Sequence, residues 1–240
     1  MLGVGMNDIR IVIDPIVDKI GIKDFRKMKL LLLAPHCDDE MAGLPLYFYL
    51  QSLQRKGNVE LKILSFSPCE ETAQSLRYTK DAIAEEEQVA LHSVGIPLES
   101  IQTFQFPVRR FSEHRQEILE ELIKVRTDFN PDIVLGPSSS DIHQDHQVVH
   151  NEMLRCFKNS ATIFGWAYPW NTFYEKNNVF FELDEIMVEK AIAFCACFKT
   201  QKHKRYMQED FIRAQYITAG IKIGKPFAVG YQCIRFRGVL

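Results

Sequence analysis

The sequence predicts a single three-layer αβα domain, spanning residues 1–240, built on a mostly parallel β-sheet. Three observations carry that expectation. Residues 30–34 (LLLLA) and 132–136 (DIVLG) are short apolar runs without polar alternation, as in strands buried on both faces. Strand-like runs of this kind alternate with amphipathic helical segments along the chain, the order that yields a parallel sheet with helices on both sides. No repeat, low-complexity stretch or linker divides the 240 residues, a length that suits one large α/β core.

Taken in order, the chain begins with a mixed segment, residues 1–29, that holds a β-prone IRIVI. The strand at residues 30–34 runs into Pro35, His36, Cys37, Asp38, Asp39 and Glu40. Residues 44–57 read as a helix. Pro45 fits its first turn, Leu46, Leu50 and Leu53 share a face, and Gly57 suits the left-handed position beyond its end. Residues 59–65 (VELKILS) form the second expected strand. After a loop holding Pro68, Cys69 and Glu70, a helix is expected to run to about Val94. Its buried stripe is Ile83, Ala90 and Val94, and Glu85, Glu86 and Glu87 fall mostly on its wet side.

Residues 101–106 are a third strand. Residues 113–129 are a helix with Ile118, Leu119, Leu122 and Ile123 at adjacent-turn spacing. Asn130-Pro131 stops it, and the strand at 132–136 opens into PSSSDIHQDHQVVH, followed by a helix bearing Val148, Val149 and Leu154. Residues 162–168 and 179–183 read as strands. Asp184 caps a helix with Met187, Ala191, Phe194 and Phe198 on one face, and the GKPFAVGYQCIRF tail is a late strand.

Composition excludes several function classes. Hydrophobic residues make up 46% and charged residues 25%, the balance of an ordinary globular protein. With 29 basic and 31 acidic residues the net charge is −2, which argues against a nucleic-acid binder, although a local basic patch remains compatible. Cysteines 37, 69, 156, 195, 197 and 233 form no CxxC pair and read as reduced thiols. No run approaches the ~20 apolar residues that span a bilayer. Asp14, Pro15 and Asp18 interrupt the early apolar stretch, so it is neither a signal peptide nor an anchor. The expectation is a soluble, cytoplasmic protein.

Two loops carry the chemistry: His36-Cys37-Asp38-Asp39-Glu40 and His143-Gln144-Asp145-His146. Each follows an apolar strand, and in open α/β sheets ligands bind beyond the carboxyl ends of strands. His36 with Asp39, and His143 with His146, are three positions apart and can project to one side of a turn. Two imidazoles and a carboxylate are a common ligand set for a divalent metal, and three protein ligands plus a water make an open, catalytic zinc site. Zinc so held would acidify its water and polarise an incoming carbonyl. A nearby carboxylate can take the proton, and a spare imidazole can donate to the oxygen that becomes negative. Spacing alone leaves open which acid binds the metal and which moves the proton.

APHCDDE resembles the (A/G)HPDDE signature, and SSDIHQDH the D-x-H-x-D-H segment, of the LmbE/PIG-L type zinc-dependent N-deacetylases. The EEEQVALHSVGI helix, NPDIVLGP and EKAIAFCACFKTQ are weaker matches to the same family. The resemblance implies a Rossmann-like fold and removal of acetyl or related acyl groups from N-acylated amino sugars and their conjugates. It implies that His36, Asp39 and His146 bind Zn2+ (Fe2+ or another divalent ion as the alternative). It makes Asp38 the general base, and His143, oriented by Asp145, the group that stabilises the tetrahedral intermediate or serves as the acid. The expected partner is thus a small N-acylated amino sugar or conjugate.

The chain departs from that family at several points. Cys37 replaces a usual proline and is read as a harmless small side chain. Leu44-Pro45 replaces part of a glycine-rich helix start. Ile83 stands near a common substrate-contacting arginine, for which Arg77 or Lys80 are candidate substitutes. An acidic residue usual near Gly230-Tyr231 is missing. Glu40 is read as a support of its loop, and Asp141 as a residue that holds a ligand histidine from behind. His92, His114, His150 and His203 are read as ordinary helix or surface residues. The aromatic run Phe164, Trp166, Tyr168, Trp170, Phe173 and Tyr174 is assigned mainly to packing, with a ring wall for a sugar as the alternative. Two other classes compete with the hydrolase. One is a non-catalytic Rossmann-like nucleotide-binding module, although no GxGxxG follows the first strand. The other is a metal-dependent phosphoesterase, for which too few bridging carboxylates are evident.

Overall fold

The central strand, β1 (Met28–His36), is apolar along most of its length because both of its faces are covered. Leu30 and Leu32 point into one hydrophobic cluster, and Leu31 and Leu33 into another on the opposite face. This is the burial that an unalternating run implies. The structure is a computed structural model that describes residues 27–53 and 59–237. The IRIVI stretch and Gly57 lie outside the described residues.

Seven strands form the sheet in the order β3-β2-β1-β4-β5-β7-β6. They are β1, β2 (Val59–Ser67), β3 (Ile101–Thr103), β4 (Ile133–Pro137), β5 (Thr162–Trp166), β6 (Val179–Leu183) and β7 (Phe227–Arg235). The first five run parallel, with Leu30 opposite Leu61 on one side and Ile133 on the other. Strand β7 is antiparallel to β5 and β6. The chain winds outward from β1 through β2 to β3, then returns to start the other half at β4. The carboxyl ends of β1 and β4 therefore flank a topological switch point, where the crossover connections diverge and leave a crevice.

Helices α1 (Leu44–Leu53), α3 (Ala82–Ser93), α6 (Glu185–Ala196) and α7 (Glu209–Ile223) pack on one face of the sheet, with residues such as Leu46, Ala90, Phe194 and Ile212 in that core. Helices α4 (Arg115–Asp128) and α5 (Gln144–Phe157) cover the other with Ile118, Leu122, Val149 and Met153. The result is one three-layer α/β domain with a mostly parallel sheet, as the apolar runs require.

Several boundaries differ from the sequence reading. The helix expected before Val94 is two helices, α2 (Glu70–Ser75) and α3, separated by a turn in which Arg77 takes a left-handed φ of 65°. Ladder pairing of β3 ends at Thr103, although Phe104 and Phe106 N–H still reach Ser65 and Phe66 carbonyls on β2. Strand β5 ends at Trp166 rather than Tyr168. Helix α4 starts at Arg115, after a 3-10 turn at Phe111–Glu113. Helix α7 has no counterpart in the sequence reading, since its apolar residues do not gather into a clear stripe. Gly224 (φ 71°) ends it, and Gly220 lies flat against the Lys225 and Pro226 carbonyls, where a Cβ would sit 2.5 and 2.8 Å from oxygen. Asp184 caps α6 as expected, accepting from the Met187 N–H at 2.8 Å.

Candidate metal centre

The two polar loops meet at the switch point. His36 is the last residue of β1, and Asp39 opens a 3-10 turn after it. His143 is the N-cap residue of α5, and His146 lies in its first turn. His36 Nδ1, Asp39 Oδ2 and His146 Nε2 form a triangle with sides of 3.1, 3.2 and 3.4 Å. An ion held at ~2.0–2.1 Å in tetrahedral geometry separates its ligand atoms by about 3.3–3.4 Å. The donor set therefore fits a divalent cation in both chemistry and spacing, and all three side chains are buried.

Each histidine is held from behind. His146 Nδ1 meets Asp141 Oδ2 at 2.9 Å, which leaves Nε2 for the metal position. His36 Nε2 meets Asp145 Oδ2 at 3.0 Å, which leaves Nδ1. The Asp141 reading thus has a direct geometric counterpart. The Asp145 contact differs from the expectation that it orients His143. Its carboxylate grips His36 and accepts from the Arg109 N–H (2.6 Å) and the Phe111 N–H (3.4 Å). Only its backbone N–H reaches His143, at Nδ1, 3.3 Å away. The reason is local: at an N-cap the side chain folds back over the first-turn amides, so His143 caps α5 while Asp145 turns toward the strand end. Arg109 takes a left-handed φ of 67° in delivering its N–H. This contribution from a distant loop leaves no pattern in the sequence.

Electrostatics follow from that packing. Burial disfavours the charged form of His146, but the Asp39 charge and hydrogen bonds to Asp141 and Asp39 outweigh it and lift the ring to about 10. His36 is also raised, burial being overcome by its bonds to Asp145 and Asp39. Asp39 is driven far below the usual carboxylate range, its burial outweighed by His146 and His36. His143 falls to about 4 through burial and the neighbouring imidazoles, so it is neutral at pH 7. With Nδ1 accepting from Asp145, its proton sits on Nε2.

Asp38 lines the same cleft as the triad, together with Met41, His143, Tyr168, Trp170, Asn171, Lys204 and Tyr206, around a cavity of ≈190 Å³. Burial, then the Asp39 charge, raise the Asp38 carboxyl, while Lys204, 4.0 Å away, pulls it down. Cys37 points elsewhere: its buried thiol donates to the Ser67 carbonyl at 3.1 Å, and it belongs to neither group of clustered metal-ligating atoms. The second such group, His36, His143 and Asp145, shares His36 with the first.

Two expectations need correction here. Glu87 is not on a wet face: it is 1% exposed and faces Glu40, which is fully buried. The residue is one helical turn from Ile83 and points with it into the core. Burial, reinforced for Glu40 by the charge of Glu87, raises both carboxyls, Glu40 strongly and Glu87 to about 7. Glu86 is only half-buried, and its carboxylate accepts from Thr200 N–H and Oγ1 at 3.1 and 2.6 Å, tying α3 to the loop after α6. Ile83 is core, Arg77 and Lys80 are exposed, and neither cation lines the cleft. The lysine there is Lys204, which the sequence reading missed. The aromatic run divides. Phe164 and Trp166 are core, Tyr168 and Trp170 line the cleft, and Phe173 and Tyr174 are more than three-quarters exposed. His150 bonds the Pro137 carbonyl at 2.8 Å and serves packing. All six cysteines are free thiols.

Similar folds occur in solved structures. A conserved protein from Thermus thermophilus shares 15% identity at a TM-score of 0.67, covering 89% of this chain and 97% of that one. The N,N'-diacetylchitobiose deacetylase of Pyrococcus horikoshii shares 17% at 0.63, covering 85% and 82%. The 4-carboxy-2-hydroxymuconate hydratase of Pseudomonas putida KT2440 shares 18% at 0.64, covering 89% and 98%. At such identities the likeness establishes the fold, and its company includes a hydratase as well as deacetylases. No curated protein matches the chain. Among the described residues no helix is long and apolar enough to cross a membrane. The sequence model described as PIG-L, GlcNAc-PI de-N-acetylase, matches residues 31–157, from within β1 to the end of α5 and so through both metal loops. That match covers more than half of the chain, which belongs to the PIG-L family of deacetylases.

Proposed function

We propose that this protein is a metal-dependent amide hydrolase that removes an acetyl or similar acyl group from an N-acylated amino sugar or sugar conjugate. The observation that carries the reading is the His36, Asp39 and His146 triangle, sized for a tetrahedral cation, with Asp38 and His143 lining the same cleft. Zinc suits two imidazoles and one carboxylate, with Fe2+ or another divalent ion as a substitute. When bound, the cation supplies Lewis acidity to an acyl oxygen and to water.

The chain's own residues do the rest. Asp38 takes a proton from the attacking water, and its raised pKa makes it a stronger acceptor than an exposed carboxylate. It later returns that proton to the departing amine. His143, neutral with its proton on Nε2, donates to the carbonyl oxygen as charge collects there. Asp141 and Asp145 fix the tautomers of the two ligand histidines. We read residues 1–240 as a single domain serving this one site.

The test is a panel of N-acetylated amino sugars and conjugates, incubated with the protein and Zn2+, Fe2+ or Mn2+, with free acetate and amine measured. Metal-dependent acetate release is the expected result. Release of phosphate in place of acetate, or no hydrolysis together with a metal content near zero after gentle purification, would overturn the reading.

A further inference from the structure

Beside the metal triad, the cleft is walled by a column of stacked groups. Tyr168 and Trp170 lie 4.4 Å apart, centre to centre and 10° from parallel, and Trp170 and Tyr206 lie 3.9 Å apart at 13°. Lys204 Nζ stands 5.3 Å over the Tyr206 ring, within cation–π range. The column is anchored at one end by Tyr168, whose hydroxyl donates to the Asp39 carbonyl at 3.3 Å. At the other end, Thr200 is clamped by Glu86 and Gln201 is buried. A ring stacked on both sides offers no face to a sugar, so Trp170 serves as a support rather than a platform. What the column presents to the cleft is the ammonium of Lys204.

That ammonium is half-buried, bonds Tyr206 and lies 4.0 Å from Asp38, too long for a direct hydrogen bond, so part of its three-donor capacity remains for a ligand. It is the one lysine or arginine among the cleft-lining residues. It also belongs to a run, residues 199–208 (KTQKHKRYMQ), that contains three lysines, an arginine and no acid. Lys199, Lys202 and His203 in that run are exposed, and Arg205 pairs with Asp210. In a chain of net charge −2, the run is locally basic, and Lys204 is its cation that lines the cleft.

Building on the deacetylase reading, we propose that Lys204 is a specificity residue that selects substrates carrying an anionic group, a phosphate or a carboxylate, beside the N-acylated sugar. The stacked column pre-positions the cation, so little side-chain entropy is lost when the anion docks.

Calorimetric binding to the metal-loaded protein tests this without requiring turnover. The probes are N-acetylglucosamine, N-acetylglucosamine 1-phosphate and the carboxylate-bearing N-acetylmuramic acid. One of the charged sugars should bind on the order of ten-fold more tightly than the neutral one, and the ratio should shrink as salt rises. Lys204→Met should bring the ratio to about unity, and Lys204→Arg should restore most of it. The charged sugar that shows the ratio identifies the anion. Equal affinity for all three sugars in the wild type, or a ratio that survives in Lys204→Met, would overturn the proposal. Absence of acetate release alongside a Lys204-dependent ratio would count against the hydrolase reading and leave the anion subsite standing.

Discussion

His36 Nδ1 and His146 Nε2 stand 3.4 Å apart, although 110 positions separate the two residues in the chain. The approach is set by the backbone. Strand β1 pairs directly with β4, and the loop after β4 leads straight into the first turn of α5. Asp39 closes the triangle from the turn that follows His36, so two chain segments supply three donors.

Removal of one ligand should abolish metal binding. His146→Ala is expected to lower metal content from about one divalent ion per chain to near zero, measured by elemental analysis after gentle purification. Asp141→Asn keeps all three ligands but weakens the acceptor behind His146, so affinity should fall about 10- to 100-fold. Metal content unaltered in His146→Ala would move the site elsewhere.

Asp38 is assigned to proton transfer rather than to the metal. Asp38→Asn should retain the ion while turnover falls about 10²- to 10⁴-fold, the range associated with general acid–base groups. Parallel assays of bound metal and acetate release separate the two roles, and loss of both together would make Asp38 a ligand.

Metal uptake should be strongly dependent on pH. In the metal-free protein His146 is lifted to about 10 from an ordinary 6.5, so the ion must displace a proton at neutral pH. Apparent affinity should therefore rise about ten-fold per pH unit between about 7 and 10. The linked stability has the opposite course. A raised folded-state pKa means that stabilisation by the His146 charge is complete below about 6.5 and lost as pH rises through about 10. Calorimetry in buffers of different ionisation enthalpy should register about one proton released per ion at pH 8.

The buried Glu40 and Glu87 carboxyls should make the fold sensitive to mild alkali. Glu87 is raised from 4.5 to about 7, so the folded state holds its proton more tightly and stability falls as pH rises through that window. The loss is roughly 2–3 kcal/mol by pH 8. Glu87→Gln should reduce that slope, leaving the Glu40 contribution, and gain on the wild type at pH 8 relative to pH 5 in urea unfolding. Equal slopes for the two proteins would place the Glu87 proton elsewhere.

Much of the scaffold was legible because burial on both faces erases alternation, and LLLLA and DIVLG carry that mark without help from distant residues. The two loops were legible because metal-ligating side chains cluster beyond strand ends. Within the Glu85, Glu86 and Glu87 triplet, expected mostly on the wet side, Glu87 departs for the converse reason. A charged residue one turn from Ile83 looks solvated until a second buried carboxyl and a neighbouring loop are known to face it. Helix α7 was missed because its apolar residues form no stripe, its fit to β7 resting instead on Gly220.

By itself the sequence placed the candidate cation ligands in two short loops after apolar strands, while the choice of Asp39 over its neighbouring acids came from the family resemblance. Tertiary structure alone decided which partners hold those residues in place. It gave the Asp145 carboxylate a hydrogen bond to His36 and none to His143, and carried Lys204 into the cleft beside a stack of rings. The physical reason is that ligand identity is written in short segments, whereas hydrogen-bond direction and the sign of the local field depend on groups that only the completed sheet and its crossovers bring within a few ångströms.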